Sequence, residues 1–470
     1  MGRVTLNLGL RYDYFNAFVP VQDLNAGPFV PARHYDKVPC VPCWHDISPR
    51  TSVAWDVTGN GKHAVKVNVG RYVAADLYTM ARANNPVTRA ITQANRNWTD
   101  NDKDFVVDCD LSPSVGAQSP ATTGSVDTCT ALSNANFGKN NPNAVIIDDD
   151  VIHGWKSRSN NWQYSVSYDR ALRRNLSIGV GYYRTEWGGF SVNKNVAVAE
   201  GLSDFTPYCV MAPVDPRLGP DSGKEICGLY DVNPDKVNQV STVTVQEPTE
   251  NGNQKEIYNG FDVILNLRLK GNININGGFN TGRTQDDTCG LLQGNLQIGS
   301  GSTPRSDEYC NNLPPWMAST QVKFSGAFPL PYGFQVATTY QNLPPIPFTA
   351  SKTYTNAEVI QSASNPHGLP RNLSNGTAST VGIALIVPNT QFESRIQQID
   401  FRFSGTIRIA RKAIEPQFDI YNALNATPIL AVNNTYGTNG AGGQNGVAGW
   451  RTPAQVLGGR TFKLGAKMTF

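Results

Sequence analysis

Hydrophobic and polar residues alternate over residues 460–470, R-T-F-K-L-G-A-K-M-T-F, at the end of the chain. One face of this segment carries only apolar side chains, namely Phe462, Leu464, Ala466, Met468 and Phe470. The opposite face carries threonines, lysines and a glycine. A period of two over a whole segment predicts a β-strand with one apolar and one polar side. Such a strand fits the wall of a transmembrane barrel, with lipid on one side and a wet lumen on the other, or the edge of a soluble sheet.

The same alternation recurs along the chain and predicts an all-β fold of about twelve strands, each near the ~10 residues of a tilted transmembrane strand. The predicted strands lie at residues 4–15, 52–57, 64–73, 162–172, 176–187, 258–270, 273–281, 320–328, 334–341, 396–409, 414–424 and 460–470. In the segment 396–409, Phe401 and Phe403 share one face, whereas Asp400 and Arg402 lie on the other. Because the second face suits a wet lumen, we predict one domain, residues 1–470, that forms an antiparallel transmembrane β-barrel.

Short connections between the predicted strands alternate strictly with long ones. The short connections are rich in turn residues and lie at residues 58–62, 173–175, 271–272, 329–333 and 410–412. The long connections lie at residues 16–46, 74–161, 188–256, 283–319, 342–395 and 425–459. Several of them far exceed the ~12–15 residues at which an unstructured loop becomes unusual in a compact domain. Since outer-membrane barrels have short periplasmic turns and long external loops, we expect the chain to end in the periplasm.

Aromatic residues lie near the predicted strand ends. In this orientation the outer interface would carry Tyr12, Tyr14, Phe15, Trp162, Tyr164 and Trp187. Trp55 and Phe470 would mark the periplasmic interface. Aromatic belts at both interfaces are typical of membrane barrels, although aromatic residues are also common in β-structure generally.

The bulk composition narrows the class of protein. Hydrophobic residues make up 40% of the chain and the mean hydropathy is −0.34. We find no run of ~18 consecutive apolar residues, which a spanning helix would need. The net charge of +3 argues against a nucleic-acid binder or a polybasic membrane anchor. The chain begins in a predicted strand without the segments of a signal peptide, so we expect it to be a fragment of a longer, exported protein.

All eight cysteines fall in predicted long connections and none in a predicted strand. Their spacing favours one local pair in each of four connections, namely Cys40 with Cys43, Cys109 with Cys129, Cys209 with Cys227, and Cys289 with Cys310. Eight cysteines allow about 105 pairings, but residues in different external loops need not approach one another. Such pairs would cross-link the loops in an oxidising compartment. Cys40 and Cys43 with His45 also fit half a zinc site or a redox dithiol.

Candidate catalytic and metal-binding chemistry is sparse. Residues 148–150 and 100–110 could bind calcium through carboxylates, although acidic runs are more commonly solvated loop surface. The five histidines form no recognisable metal constellation. We find no Gly-rich phosphate loop, no Gly-x-Ser-x-Gly elbow and no convincing carboxylate pair. We therefore predict that the protein is not an enzyme and needs neither a cofactor nor a catalytic metal.

Three stretches carry a family resemblance. They are R-V-T-L-N-L-G-L-R-Y-D at 3–13; I-S-P-R-T-S-V-A-W-D at 47–56 with V-K-V-N-V-G-R-Y at 65–72; and Q-F-D-I-Y-N-A-L-N at 417–425 with W-R-T-P at 450–453 and residues 460–470. In this order and spacing they resemble the C-terminal half of the barrel of TonB-dependent receptors, especially the Oar-like group. Together they span the chain from end to end.

The resemblance implies about twelve strands of a barrel of about 22 strands, in the outer membrane of a Gram-negative type of bacterium. It implies energy-coupled uptake of a scarce external ligand, with the TonB complex reached only through an N-terminal part outside this chain. The ligand would be an oligosaccharide, a peptide or a metal chelate. The other implied partners are outer-membrane lipid and the barrel assembly machinery, since Phe462, Leu464 and Met468 with Phe470 resemble the C-terminal signal that this machinery recognises.

Two other functions are compatible with the sequence. The first is a self-contained twelve-stranded passive pore or adhesin, whose interior would be filled by side chains or loops. The second is a secreted soluble β-protein, such as a carbohydrate-binding sandwich or a glycosidase, which would purify without detergent. Neither alternative implies a nucleic-acid partner.

Overall fold

The chain is built mainly from antiparallel β-strands joined by tight turns and long loops. The computed structural model describes residues 2–27, 29–199, 201–246, 254–298, 304–306, 308–409, 412–437 and 449–469. Its largest sheet contains fifteen strands, and the longer ones pair with their neighbours in chain order. We number these longer strands β1 (Val4–Asn16), β2 (Cys43–Asp56), β3 (His63–Val73), β4 (Asn160–Arg173), β5 (Leu176–Gly188), β6 (Lys255–Leu269), β7 (Ile273–Asp287), β8 (Gln321–Pro329), β9 (Phe334–Leu343), β10 (Ile396–Gly405), β11 (Lys412–Tyr421) and β12 (Thr461–Thr469).

The register of these strands gives the sheet one polar and one apolar face. A row of directly paired residues crosses the first five strands on the polar face, namely Asn7, Ser52, Asn68, Ser165 and Tyr183. The neighbouring row lies on the opposite face and is apolar or aromatic: Leu6, Val53, Val67, Val166 and Tyr182. Side chains of the apolar face are exposed rather than covered by protein, as at Leu8 (70%) and Leu464 (82%). This is the arrangement that alternation predicts for strands with lipid on one side.

Every predicted strand segment overlaps one of the strands β1–β12. The sheet nevertheless contains more strands than the segments predicted, because three short pieces join it. His153–Trp155 pairs with β2 in parallel, Asn311–Asn312 pairs with β7, and Ile407–Ile409 is separated from β10 at Thr406. Short connections alternate with long ones as expected. The predicted turn at 410–412 lies partly outside the described residues.

The sheet has two free edges in the described part of the chain. β1 pairs only with β2, and β12 pairs only with β11. Both edge strands are exposed along most of their length. The described strands therefore do not close on one another into a barrel.

The long loops contain short elements of their own. We name them L1 (17–42), L2 (74–159), L3 (189–254), L4 (288–320), L5 (344–395) and L6 (422–460). Their further strands are Gln22–Leu24, Arg33–Tyr35, Trp98–Thr99, Thr128–Cys129, Ile146–Ile147, Ser191–Asn195, Phe205–Met211, Glu225–Val232, Thr242–Gln246, Ser351–Thr355, Thr380–Ala384, Ile429–Val432, Thr435–Tyr436 and Pro453–Val456.

Helices are short throughout the described ranges. The α-helices are Thr79–Ala83, Pro86–Arg89, Pro120–Thr123, Asp149–Ile152, Cys289–Leu292 and Asn356–Val359, and the 3₁₀ segments are Pro216–Asp221, Pro234–Lys236, Trp316–Ala318 and Pro331–Gly333. None of these described helices has the length and apolar character needed to cross a membrane.

The buried hydrophobic clusters lie in the loops and not on the sheet. The largest cluster combines residues of L3, L5 and L6, including Leu229, Leu369, Ile383 and Trp450. A second cluster belongs to L4, and a third joins L1 to L2 through Val19, Val41 and Ile152. The long loops are thus folded bodies with interiors from which water is excluded.

Candidate functional site

We call L3, L4, L5 and L6 together the loop cap. Its main core is cross-linked by hydrogen bonds between loops as well as by apolar contact. Trp450 of L6 donates its indole N–H to the carbonyl oxygen of Thr349 in L5 at 2.7 Å. Tyr354 of L5 donates its hydroxyl to the carbonyl oxygen of Met211 in L3 at 3.1 Å. Residues of different loops therefore approach one another closely in this part of the molecule, although the cysteines pair within single loops.

Buried charges tie L4 to the other loops of the cap. Arg305 of L4 is almost fully buried and contacts Asp221 of L3 at 3.1 Å and Glu308 at 2.7 Å. Its Nη1 atom also donates to the carbonyl oxygen of Ala384 in L5 at 2.8 Å. Burial alone lowers the pKa of Arg305, but hydrogen bonds to Glu308 and Asp221 outweigh it and leave the pKa above its ordinary value. One cation thus holds three loops together.

A second set of ion pairs joins L3 to L5. Arg371 of L5 binds Asp231 of L3, and the same carboxylate accepts a 2.9 Å hydrogen bond from the Ser374 hydroxyl. His367 of L5 lies 2.9 Å from Glu225 of L3. These contacts fix the relative position of the two loops that contribute most of the main core.

The loop cap contains a cavity of about 430 Å³ between L3, L4 and L5. Its lining includes Tyr208 and Tyr230 from L3 and Gln297 from L4. Tyr208 is 3% exposed and Gln297 is 5% exposed. The volume falls in the ~300–1,000 Å³ range of small-molecule sites in proteins. Sequence analysis missed this cavity, since no motif marks its residues. The nearest signal was the pair Cys209 and Cys227, which lie between Tyr208 and Tyr230 in the sequence.

A second cavity, of about 660 Å³, lies at the edge of the sheet where strands β2 and β4 begin and strands β3 and β5 end. His45 is one of its lining residues, and its ring stacks on Trp155 at 5.2 Å and on Tyr14 at 4.7 Å between centroids. Beneath the rings, Arg71 binds the buried Asp46 at 2.9 Å. The aromatic residues around this cavity include Tyr12, Tyr14, Trp162 and Trp187, which the sequence analysis assigns to the outer interface. They also include Trp155 and His45, which the alternation did not indicate.

The cysteines lie in the four predicted local pairs. The Cα–Cα distances are 4.7 Å for Cys40 and Cys43, 6.5 Å for Cys109 and Cys129, 4.2 Å for Cys209 and Cys227, and 4.7 Å for Cys289 and Cys310. Seven of the eight cysteines lie in the long loops as expected, and Cys43 does not. Cys43 begins β2, and three others lie in short loop strands, namely Cys129, Cys209 and Cys227.

The acidic and cysteine-rich segments give limited support to metal binding. The carboxylates of Asp100, Asp102 and Asp104 lie within 4.8 Å of one another. Asp100 and Asp104 accept hydrogen bonds from backbone N–H groups of the same turn, such as that of Phe105 at 3.0 Å. Among the described residues, His45 does not form a metal-binding group with Cys40 and Cys43.

The apolar residues of the last predicted strand share one face of β12. Phe462 stacks on Phe418 of β11, with ring centroids 6.0 Å apart and rings nearly parallel at 2°. Leu464 and Met468 are exposed on the same face, and Ala466 pairs with Pro416. Phe470 lies outside the described residues.

Comparison with known proteins gives a family and a set of distant structural neighbours. The family model described as "Outer membrane beta barrel domain" matches residues 1–334. No curated protein matches the sequence. Similar solved structures include the outer membrane transporter YddB from Escherichia coli, with 12% identity and a TM-score of 0.39 over 92% of this chain and 41% of that one.

Two further structures are similar at the same level. The siderophore receptor PiuA from Acinetobacter baumannii has 10% identity and a TM-score of 0.40, over 99% of this chain and 40% of that one. The FrpB iron transporter from Neisseria meningitidis has 10% identity and a TM-score of 0.39, over 100% of this chain and 44% of that one. The chain thus spans less than half the length of each of these proteins.

Proposed function

Because the chain belongs to the outer membrane beta barrel domain family and is located in the outer membrane, we propose that it forms the barrel portion of a TonB-dependent receptor of the Oar-like kind. This receptor takes up a scarce external ligand with energy supplied through the TonB complex. The contact with that complex lies in an N-terminal part outside this chain. The protein acts as a transporter and not as an enzyme.

The single observation that carries this proposal is a sheet with an exposed apolar face beneath a folded loop cap. Lipid is the environment in which exposed residues such as Leu8 and Leu464 need no protein cover. The opposite face carries charged residues in hydrogen-bonded pairs, such as Lys66 with Asp169 at 2.9 Å, which suits a water-filled lumen. Loops with their own core provide a surface on which an external ligand can be captured.

The two free edges of the sheet support a barrel that contains further strands outside this chain. An unpaired strand edge in lipid leaves backbone N–H and C=O groups without partners, at a cost of several kcal/mol per group. We propose that further strands pair with β1 and β12 to complete a barrel of about 22 strands. The barrel assembly machinery would insert this barrel by recognising β12 and Phe470.

The test compares the isolated chain with the protein encoded by the complete reading frame. We expect residues 1–470 alone to aggregate or stay unfolded in detergent, and the complete protein to give a heat-modifiable, surface-labelled barrel. An upstream reading frame encoding a plug and a signal peptide would agree with this result. A stable, monomeric, heat-modifiable barrel from residues 1–470 alone would favour the self-contained pore or adhesin, and a detergent-independent protein would favour the soluble alternative.

A further inference from the structure

The cavity between L3, L4 and L5 is built on a rigid frame. Tyr208 and Tyr230 belong to the antiparallel strands Phe205–Met211 and Glu225–Val232, whose register pairs Tyr208 with Leu229 and Pro207 with Tyr230. The Cys209–Cys227 pair joins the same two strands. The opposite wall comes from L4, where the carbonyl oxygen of Gln297 accepts a 2.8 Å hydrogen bond from the N–H of Asn195.

Three polar groups on the lining have no partner within the described part of the protein. The hydroxyls of Tyr208 and Tyr230 make no hydrogen bond there. The Oε1 atom of Gln297 is buried and has no hydrogen-bond partner either. An unpaired buried polar group destabilises the folded protein, and a ligand that pairs with it would remove this cost. Buried polar groups are normally paired, so the unpaired Oε1 atom of Gln297 indicates a missing partner, and Tyr208 and Tyr230 line the same cavity.

The charged residues on the lining are already neutralised. Asp231 is held by Arg371, and Lys236 lies 3.4 Å from Asp204. Burial, and to a smaller degree the charge of Asp231, raises the pKa of Tyr208, so its hydroxyl keeps its proton at neutral pH and can donate. The described lining therefore offers hydroxyl and amide groups without a free charge, which favours a neutral ligand.

The rest of the lining combines apolar and aromatic residues with neutral amide and hydroxyl residues, namely Asn195, Asn238, Gln239, Asn375, Ser379 and Thr380. Phe205, Leu296 and Ile298 contribute to the wall between the polar groups. A lining of apolar surface with a few placed polar groups fixes the orientation of a ligand that has both apolar faces and hydroxyls. A pyranose ring has this character, because its C–H faces are apolar and its hydroxyls both donate and accept. The volume of about 430 Å³ suits one or two such rings better than an extended peptide.

We propose that this cavity binds a neutral saccharide of one or two rings, held by the hydroxyls of Tyr208 and Tyr230 and the amide of Gln297. The cavity is then a ligand site of the loop cap and selects a neutral sugar from the ligand classes open to the receptor. The inference rests on the proposed function only in that it requires an exported protein with its cap exposed to the medium.

The experiment uses the complete receptor in lauryldimethylamine oxide, because detergents with sugar headgroups would compete for the site. Maltose, cellobiose and N,N′-diacetylchitobiose serve as probes, and saturation-transfer NMR gives a Kd for each. We expect at least one probe to bind, and the double variant Tyr208→Phe/Tyr230→Phe to raise its Kd about tenfold, since two hydrogen bonds are lost. Tyr309→Phe is the matched control: its hydroxyl is also buried without a partner but lies outside the cavity lining, so we expect Kd to change by less than about twofold.

Two results would overturn the inference. One is the failure of every probe to bind to a receptor that is heat-modifiable and surface-labelled in the same preparation. The other is binding that the double variant leaves unchanged. Loss of the heat-modifiable barrel itself would instead count against the proposed function, so the two failures are distinguishable. The variants Tyr230→Arg and Tyr230→Lys provide a second check: we expect them to abolish binding of the neutral probes, and unchanged binding by both would count against the inference.

Discussion

Arg305 and Asp221 come from different loops and meet inside the loop cap, with Nη2 and Oδ2 3.1 Å apart. Arg305 is 4% exposed, whereas the carboxylate side chains of Asp221 and Glu308 are 29% and 48% exposed. The carboxylates can therefore rehydrate if the arginine is lost, but L4 would lose its charged link to L3.

We predict that Arg305→Met loosens L4 within the cap. Hydrogen bonds to charged groups contribute about 1.5–3 kcal/mol each, so we expect a destabilisation of this order. Hydrogen–deuterium exchange of the complete receptor should show faster exchange in peptides of L4 and in those around Asp221. Lys139→Met, which removes an exposed cation from L2, is the control and should leave exchange in the cap unchanged.

The cap should lose stability in acid through Asp215. Burial raises the pKa of this carboxyl, but hydrogen bonds from Arg217 outweigh it and hold the pKa below its ordinary value. A group with a lowered folded pKa stabilises the fold above its unfolded pKa of about 3.9, and this contribution is lost as pH falls through the folded value. Urea unfolding of the cap at a series of pH values below 5 should show the loss. In Asp215→Asn the decline with falling pH should be smaller.

The cysteine pairs predict four local disulfides. Non-reduced peptide mapping of the exported protein should give Cys109–Cys129, Cys209–Cys227, Cys289–Cys310 and Cys40–Cys43. In the chain-entropy model, a disulfide that closes a loop of about 20 residues stabilises the folded state by about 3 kcal/mol. We therefore expect reduction of the disulfides to destabilise the loops more than the sheet. Free thiols at all eight positions would contradict this prediction.

The orientation of the loops can be tested with inserted protease sites. We predict that a site in L2 or L3 of the complete receptor is cleaved on intact cells, because long loops face outward in outer-membrane barrels. A site in the short turn at 58–62 should be cleaved only after permeabilisation. The reverse pattern would invert the topology.

Deletion of Phe470 should lower the outer-membrane level of the complete receptor without changing its synthesis. The residue follows β12, whose apolar face and free edge would be presented for insertion. Heat-modifiable gel mobility and surface labelling measure the assembled fraction. The control variant Phe470→Tyr retains the aromatic ring and should assemble normally. Normal assembly of the deletion variant would contradict a role for Phe470 in the assembly signal.

The strands could be predicted from the sequence because alternate residues of a strand lie on opposite faces of the sheet, and here one face is apolar and the other polar. Leu6 and Asn7, adjacent in the chain, lie on opposite faces of the sheet, as their alternation indicated. The loop cap could not be predicted in this way. Its core combines Leu229, Leu369 and Trp450, which are far apart in the chain and follow no common period. The cavity residues likewise come from three loops, and their proximity depends on tertiary packing alone.

Because the loop core is separate from the sheet, the stability of the loops and the stability of the sheet depend on different solvents. Water drives the side chains of the loop core together, so urea or a change of temperature acts on the loops. In the proposed barrel, the apolar face of the sheet is covered by the bilayer and not by protein, so the thickness of the bilayer and the choice of detergent affect the stability of the sheet. A change that unfolds the loops can therefore leave the sheet intact. Folded loops are for the same reason no evidence that the sheet is correctly inserted in the membrane.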